Sequence, residues 1–182
     1  MESTIRKETS KFYAAIKGGM LTYKLTATEL IIYATIHGFS QGGRSFCNSS
    51  LSQFEEITGQ SRSNVQKAIT QLEKLNLIVS ISPKNKRLNK SYYSVISRTE
   101  EDFPETKNLA VKKTDEIQIK GWMREYNLNA KQLILLALIE RHSYDGYSVY
   151  VSYMPEMMAW TGLQKDENVR NNLKILEVRK QL

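Results

Sequence analysis

The chain has 182 residues, with 41% hydrophobic and 25% charged side chains, a formal net charge of +7 and a single cysteine. That balance excludes a disordered or fibrous chain, and one cysteine excludes an internal disulfide. No apolar run reaches the roughly 18 residues of a membrane span, and Met1–Ser10 is polar, without the apolar core of a signal peptide, so a soluble cytoplasmic protein is expected.

The charge is unevenly spread. Residues 1–96 hold 13 Lys/Arg against 6 Asp/Glu, residues 97–118 hold 4 against 6, and residues 119–182 hold 9 against 7. The positive excess belongs to the first half, which points to a polyanionic partner there.

An internal repeat sets the expected architecture. Ile16-Lys17-Gly18, Met20, Tyr23 and Leu25 recur 103 residues later as Ile119-Lys120-Gly121, Met123, Tyr126 and Leu128. Leu30, Ile31, Ala34 and Ile36 recur as Leu133, Ile134, Ala137 and Ile139, and Thr58-Gly59 as Thr161-Gly162. One inserted residue then shifts the offset to 104, matching Val65, Leu72 and Glu73 with Val169, Leu176 and Glu177. Matches at glycines outside helices favour two copies of one small fold over chance similarity between amphipathic helices.

In chain order, the first helix is expected to start at Thr26, whose side chain forms a capping box with Glu29. Leu30, Ile31 and Ala34 form its apolar face, and Gly38 ends or loosens it. A turn at Gln41-Gly42-Gly43 leads to a short extended piece, Ser45–Asn48. A second helix runs from about Leu51 to Thr58, capped by Ser50 with Gln53 and stopped by Gly59. Ser61 caps a third helix, Arg62–Asn76, with Val65, Ala68, Ile69 and Leu72 facing inward. Two short helices joined by so tight a turn are the helix-turn-helix signature. Two extended pieces follow, Leu77–Ser82 and Ser91–Ile96, around a basic tip at Pro83–Lys90, which reads as a wing. Residues 97–118 read as a linker with a short ordered piece at Leu109–Val111. The second copy repeats the pattern with Asn129 and Gln132 as capping box, an apolar face at Leu133, Ile134, Ala137 and Leu138, a turn at Tyr144–Gly146 and a strand at Tyr147–Val151.

Several segments, Leu25–Tyr33, His37–Gly43, Ser50-Leu51, Thr58-Gly59 and Leu72–Ile78, resemble winged helix-turn-helix proteins. They are similar to those of replication initiators and regulators of plasmids, phages and integrative elements of low-GC Gram-positive bacteria. The resemblance covers residues 16–96 well and 119–182 more loosely. The fold it implies is mainly α with a small β component: tandem helix-turn-helix domains, the first a winged helix over residues 1–96, the second over 119–182. The second copy stops at Leu182, aligned with Ile78, and is expected to lack a wing. Its third helix opens with Asp166-Glu167, which phosphates would repel.

Groove chemistry follows from residue type. Arg grips guanine and Asn or Gln grips adenine with paired hydrogen bonds, so Arg62, Ser63, Asn64, Gln66, Lys67 and Thr70 are the candidate contacts to double-stranded DNA. Lys84, Lys86, Arg87 and Lys90 are candidate contacts to phosphates or the minor groove. Glu55 and Glu56 are expected to face away from the DNA backbone.

No other chemistry stands out. His37 and His142 fall near the ends of equivalent helices, where a cation suits the dipole. Cys47 reads as a small core residue, and its spacing to histidine makes no metal site. Gly18-Gly19 and Gly42-Gly43 lack a phosphate-loop pattern. No catalytic set, cofactor or metal is expected, and the protein reads as a non-enzyme. Met154, Met157, Met158 and Trp160 read first as core and second as an adaptable binding patch, which makes residues 119–182 a candidate homodimer or protein-partner module. A docking protein that acts on a host enzyme is therefore the alternative to a DNA-binding regulator or initiator.

Overall fold

The computed structural model describes residues 12–41, 46–81, 92–96, 103–106, 109–143 and 153–180. The chain forms β1 (Phe12–Lys17), a 3-10 helix (Gly18–Tyr23), α1 (Ala27–Gln41), α2 (Leu51–Thr58), α3 (Arg62–Lys74) and the strands β2 (Ile78–Ile81) and β3 (Tyr92–Val95). It continues with β4 (Glu116–Lys120), a second 3-10 helix (Gly121–Tyr126), α4 (Ala130–His142), α5 (Met154–Thr161) and α6 (Asp166–Lys180). The fold is mainly helical with a small sheet content. Among the described residues, no helix is long and apolar enough to cross a membrane.

The spacing seen in sequence is kept in space. Gly18 and Gly121, Ala27 and Ala130, and Leu51 and Met154 open equivalent elements 103 residues apart, and Arg62 and Asp166 do so 104 apart. Special backbone positions repeat too. Lys24 and Asn127 are left-handed at φ 52° and 49°, and Gly59 and Gly162 at 62° and 67°.

Local signals explain the helix starts. Thr26 N–H donates to Glu29 Oε2 at 2.7 Å, and Glu29 N–H returns a bond to Thr26 Oγ1 at 3.4 Å. Ser50 with Gln53 and Asn129 with Gln132 form complete capping boxes. Other details differ from expectation. Ser61 occupies the N-cap of α3 without a side-chain bond. Gly38 does not end α1, which continues to Gln41, because a single glycine costs a helix only about 1 kcal/mol. The third helix ends at Lys74, and Asn76 takes φ 55° beyond it. Leu109–Val111 holds bends but no regular element. The Gly42–Gly43 turn, the turn at residues 144–146 and the strand at 147–151 lie outside the described residues.

Two features were not expected. The first is an antiparallel pairing of β1 with β4, which joins the two halves. Ala15 pairs with Gln118, its own equivalent 103 residues on, while Ile16 pairs with Ile117 and Ala14 with Ile119. Each strand thus meets its counterpart about a local two-fold relation. Ala14, Ile16, Ile117 and Ile119 are buried in the same core. The second is the depth of α1 and α4. Every residue from Leu30 to His37 is buried, not one face alone, because α1 packs on its own strand, on α3 and on α4. A helix covered on all sides needs no polar face. In α4, Gln132 to Leu135 together with Ala137 and Leu138 are buried likewise.

The segment expected to be a linker over residues 97–118 is partly structural. Phe103 and Val111 join the core, and Glu116–Gln118 belong to β4. Gly18 N–H donates to the Asp115 carbonyl at 2.7 Å and Gly19 N–H to that of Lys113 at 3.1 Å. The approach is close enough that a Cβ on Gly18 would lie 2.0 Å from the Lys112 carbonyl oxygen. A Cβ on Gly19 would lie 2.6 Å from that of Phe103. Asp115 also accepts from Arg141 Nη2 at 3.1 Å and from Lys112 N–H at 2.7 Å. Partial burial opposes the Asp115 charge, but these donors outweigh it and hold the carboxyl below its ordinary pKa.

Candidate nucleic-acid interface

The helix-turn-helix is built from α2, a three-residue turn and α3. Phe54, Ile57 and Thr58 of α2 and Val65, Ala68, Ile69 and Leu72 of α3 face the core at helical spacing. Thr58 Oγ1 donates to the Phe54 carbonyl at 2.6 Å, and the Phe54 ring meets Tyr93 edge-on at 5.9 Å. Gly59 takes the left-handed conformation the turn requires. A Cβ there would also lie 2.2 Å from the Leu128 carbonyl oxygen, so the turn rests against the backbone of the second half. Glu56 is bonded to Arg124, again across the two halves.

Arg62, Ser63, Asn64, Gln66, Lys67 and Thr70 are all exposed on α3. Five of them line one shallow depression of about 740 Å³ together with Gln71 and Lys74. The sixth, Asn64, does not. It lies on the flank toward the start of α1, in a second depression with Thr26, Thr28, Glu29 and Gln60, and its Nδ2 donates to Gln60 Oε1 at 3.3 Å. Lys67 and Gln71 border both depressions. Gln60 and Gln71 were not singled out from sequence. Gln71 could have been found, since it is four residues after Lys67 and thus its neighbour on the helix. Gln60 has only its place in the turn to mark it.

The face is electropositive. Among the described residues, Arg62, Lys67 and Lys74 have no ion-pair partner, and the one acid on the helix, Glu73, is bonded to the Ser80 hydroxyl. Ser80 belongs to β2, which pairs with β3 as Ile78 to Val95 and Ile81 to Tyr92. Ile78, Tyr93 and Val95 anchor this hairpin in the core, and Cys47 adds a bridge to Tyr93 with N–H···O distances of 2.7 and 2.9 Å. The tip that carries Lys84, Lys86, Arg87 and Lys90 lies outside the described residues.

The remaining candidates are structural. Cys47 is fully buried, and burial raises its pKa. His37 is buried beside the rings of Tyr33 and Phe103, and His142 lies 3.6 Å from Glu156. Met157 and Trp160 are core residues, and Met154 and Met158, half-buried, pack against the core.

No curated protein and no solved structure matches the chain. One protein family does match, described as a helix-turn-helix domain, over residues 23–78. The matched region runs from the last residue of the first 3-10 helix to the first residue of β2. Residues 23–78 are therefore a helix-turn-helix domain.

Proposed function

We propose that the protein binds duplex DNA with α3 in the major groove and the β2–β3 hairpin as a wing, as the first of two tandem helix-turn-helix units. The observation that carries this reading is the outer face of α3: three cations with no acidic partner among the described residues, set among exposed hydrogen-bonding side chains beside a helix-turn-helix turn. Recognition helices of this class present their first residues to base edges. On this reading Arg62 and Gln66 would meet bases, Lys67 and Lys74 phosphates, and Asn64 the flank nearest α1. Lys84, Lys86, Arg87 and Lys90 would add phosphate contacts from the wing. The resemblance to regulators and replication initiators of mobile elements supports a regulatory or initiating role, and the reading assigns the protein no enzymatic activity.

Fluorescence anisotropy across a salt series tests it, using a random duplex and one drawn from beside the protein's own gene. Binding that weakens with salt on both, and is at least ~10³-fold tighter on the native site, is expected. Equal weak binding to both would reduce the surface to a basic patch. The second half would then be the bait for a search for protein partners.

A further inference from the structure

The β1–β4 pairing relates the two halves as the subunits of a dimer are related. Ala15 meets its own equivalent, Gln118, and the flanking pairs exchange equivalent positions. The helices α1 and α4, themselves equivalent, also pack on each other. A two-fold pair of recognition helices is how dimers read palindromic sites. In this chain the geometry is equivalent but the charge of the first turn is not: where α3 opens with Arg62-Ser63, α6 opens with Asp166-Glu167, and the cations of α6, Arg170 and Lys174, stand further along, where α3 has Gln66 and Thr70. Asp166 and Glu167 are both exposed. Acids in the first turn suit the helix dipole, but that same turn is the one that approaches bases and phosphates. The turns differ as well. Gly59 rests on Leu128, whereas a Cβ on Gly162 would meet nothing within 4 Å among the described residues.

We infer that the chain is a built-in pseudo-dimer with a single reader: α3 takes one asymmetric half-site as a monomer, Asp166 and Glu167 keep α6 off the DNA, and the second unit serves as a brace for the first helix-turn-helix turn. This rests on the reading that α3 binds duplex DNA. Its recognition target is consequently one half-site and not a palindrome, and a second copy of the chain is not required.

The test uses the full chain and a duplex selected from a randomised pool of about three helical turns, about 30 bp. Sedimentation of the complex and hydroxyl-radical footprinting are expected to give one chain per duplex and protection confined to one half-site. Trimming the duplex to that half is expected to change affinity less than threefold. The variant D166R/E167S, which writes the start of α3 into α6, is expected to lengthen the footprint and to steepen the salt slope by about one. The isosteric D166N/E167Q, which removes only charge, is expected to tighten binding to random duplex by a few-fold, with the melting point lowered by no more than the few degrees that two first-turn acids contribute through the helix dipole. Symmetric protection of two half-sites by the parent chain, or two chains per site, would overturn the single-reader inference. No gain from either variant would overturn the role of the acids. Failure of the parent to select or bind any duplex is a different result, and it would strike the DNA-binding reading itself.

Discussion

Gly59, in the turn between α2 and α3, and Gly162, in the turn between α5 and α6, are both left-handed, with φ 62° and 67°. One is wedged against the Leu128 backbone, and a Cβ on the other would meet no described residue within 4 Å. The helices after them differ too: α3 starts with Arg62, α6 with Asp166 and Glu167. The contrast shows how a duplicated fold can keep its geometry while its surface diverges. Backbone devices and core positions persist because packing depends on them. Exposed helix faces are free to change, and on the proposed reading it is there that the two units part in function.

The comparison can be broken first at the two glycines. Alanine at either position pays for the left-handed conformation, about 1 kcal/mol. Only Gly59→Ala also drives a Cβ into a backbone oxygen, for a total of about 3 kcal/mol. In a chain of this size that is a fall in Tm of about 6–12 °C, against about 2–4 °C for Gly162→Ala. Calorimetry of the two variants checks this, and equal losses would mean that the second unit does not brace the turn.

The next contrast is between the helices. Arg62→Ala is expected to weaken binding to the preferred duplex by about 10- to 100-fold, the worth of a bidentate base contact. Asp166→Ala is expected to lose nothing. Lys67→Ala should act more evenly, weakening binding to all sequences and lowering the salt slope by about one, read by titration at several ionic strengths. A smaller effect is expected at Asp115, which ties the connecting segment to α4. Its pKa is lower in the folded state, so its stabilisation is present above the ordinary carboxylate pKa of about 3.9 and is lost as pH falls through the depressed folded value. Asp115→Asn is therefore expected to cost about 1 kcal/mol at neutral pH and to converge on the parent in strong acid. Urea unfolding at a series of pH values measures the difference. The smallest change is expected at Gln60→Ala, which frees Asn64 and alters sequence preference only a few-fold.

Much of this fold was legible in the sequence. Capping boxes and Thr-Gly stops, together with the offset of 103 residues, located α1, α2, α3, α4 and α6, and the inward face of α3 followed from its spacing. What was missed depended on contacts between distant residues. The alternation Glu116-Ile117-Gln118-Ile119-Lys120 is itself a strand signal, but its partner is about 100 residues away in β1. The unbroken runs Leu30–Ile36 and Leu133–Ile139 hold more apolar residues than one helix face needs, which is the trace left by burial from both sides. Gly18-Gly19 gave no hint of its role, because that role is the close passage of Lys112 and Phe103. At the candidate interface, residue types were readable, but the turning of Asn64 away from Arg62 and Gln66 depends on Gln60 and on the position of α1.

The most direct test of the account is the variant R62A/Q66A/K67A, compared with the parent chain on a selected duplex and on a scrambled one. All three side chains are exposed, so the fold is expected to persist. The account predicts that the parent prefers the selected duplex by at least ~10³-fold and that the variant loses nearly all of that preference, keeping only weak, salt-sensitive binding. A variant that still discriminates as the parent does would show that the outer face of α3 is not where this protein reads DNA.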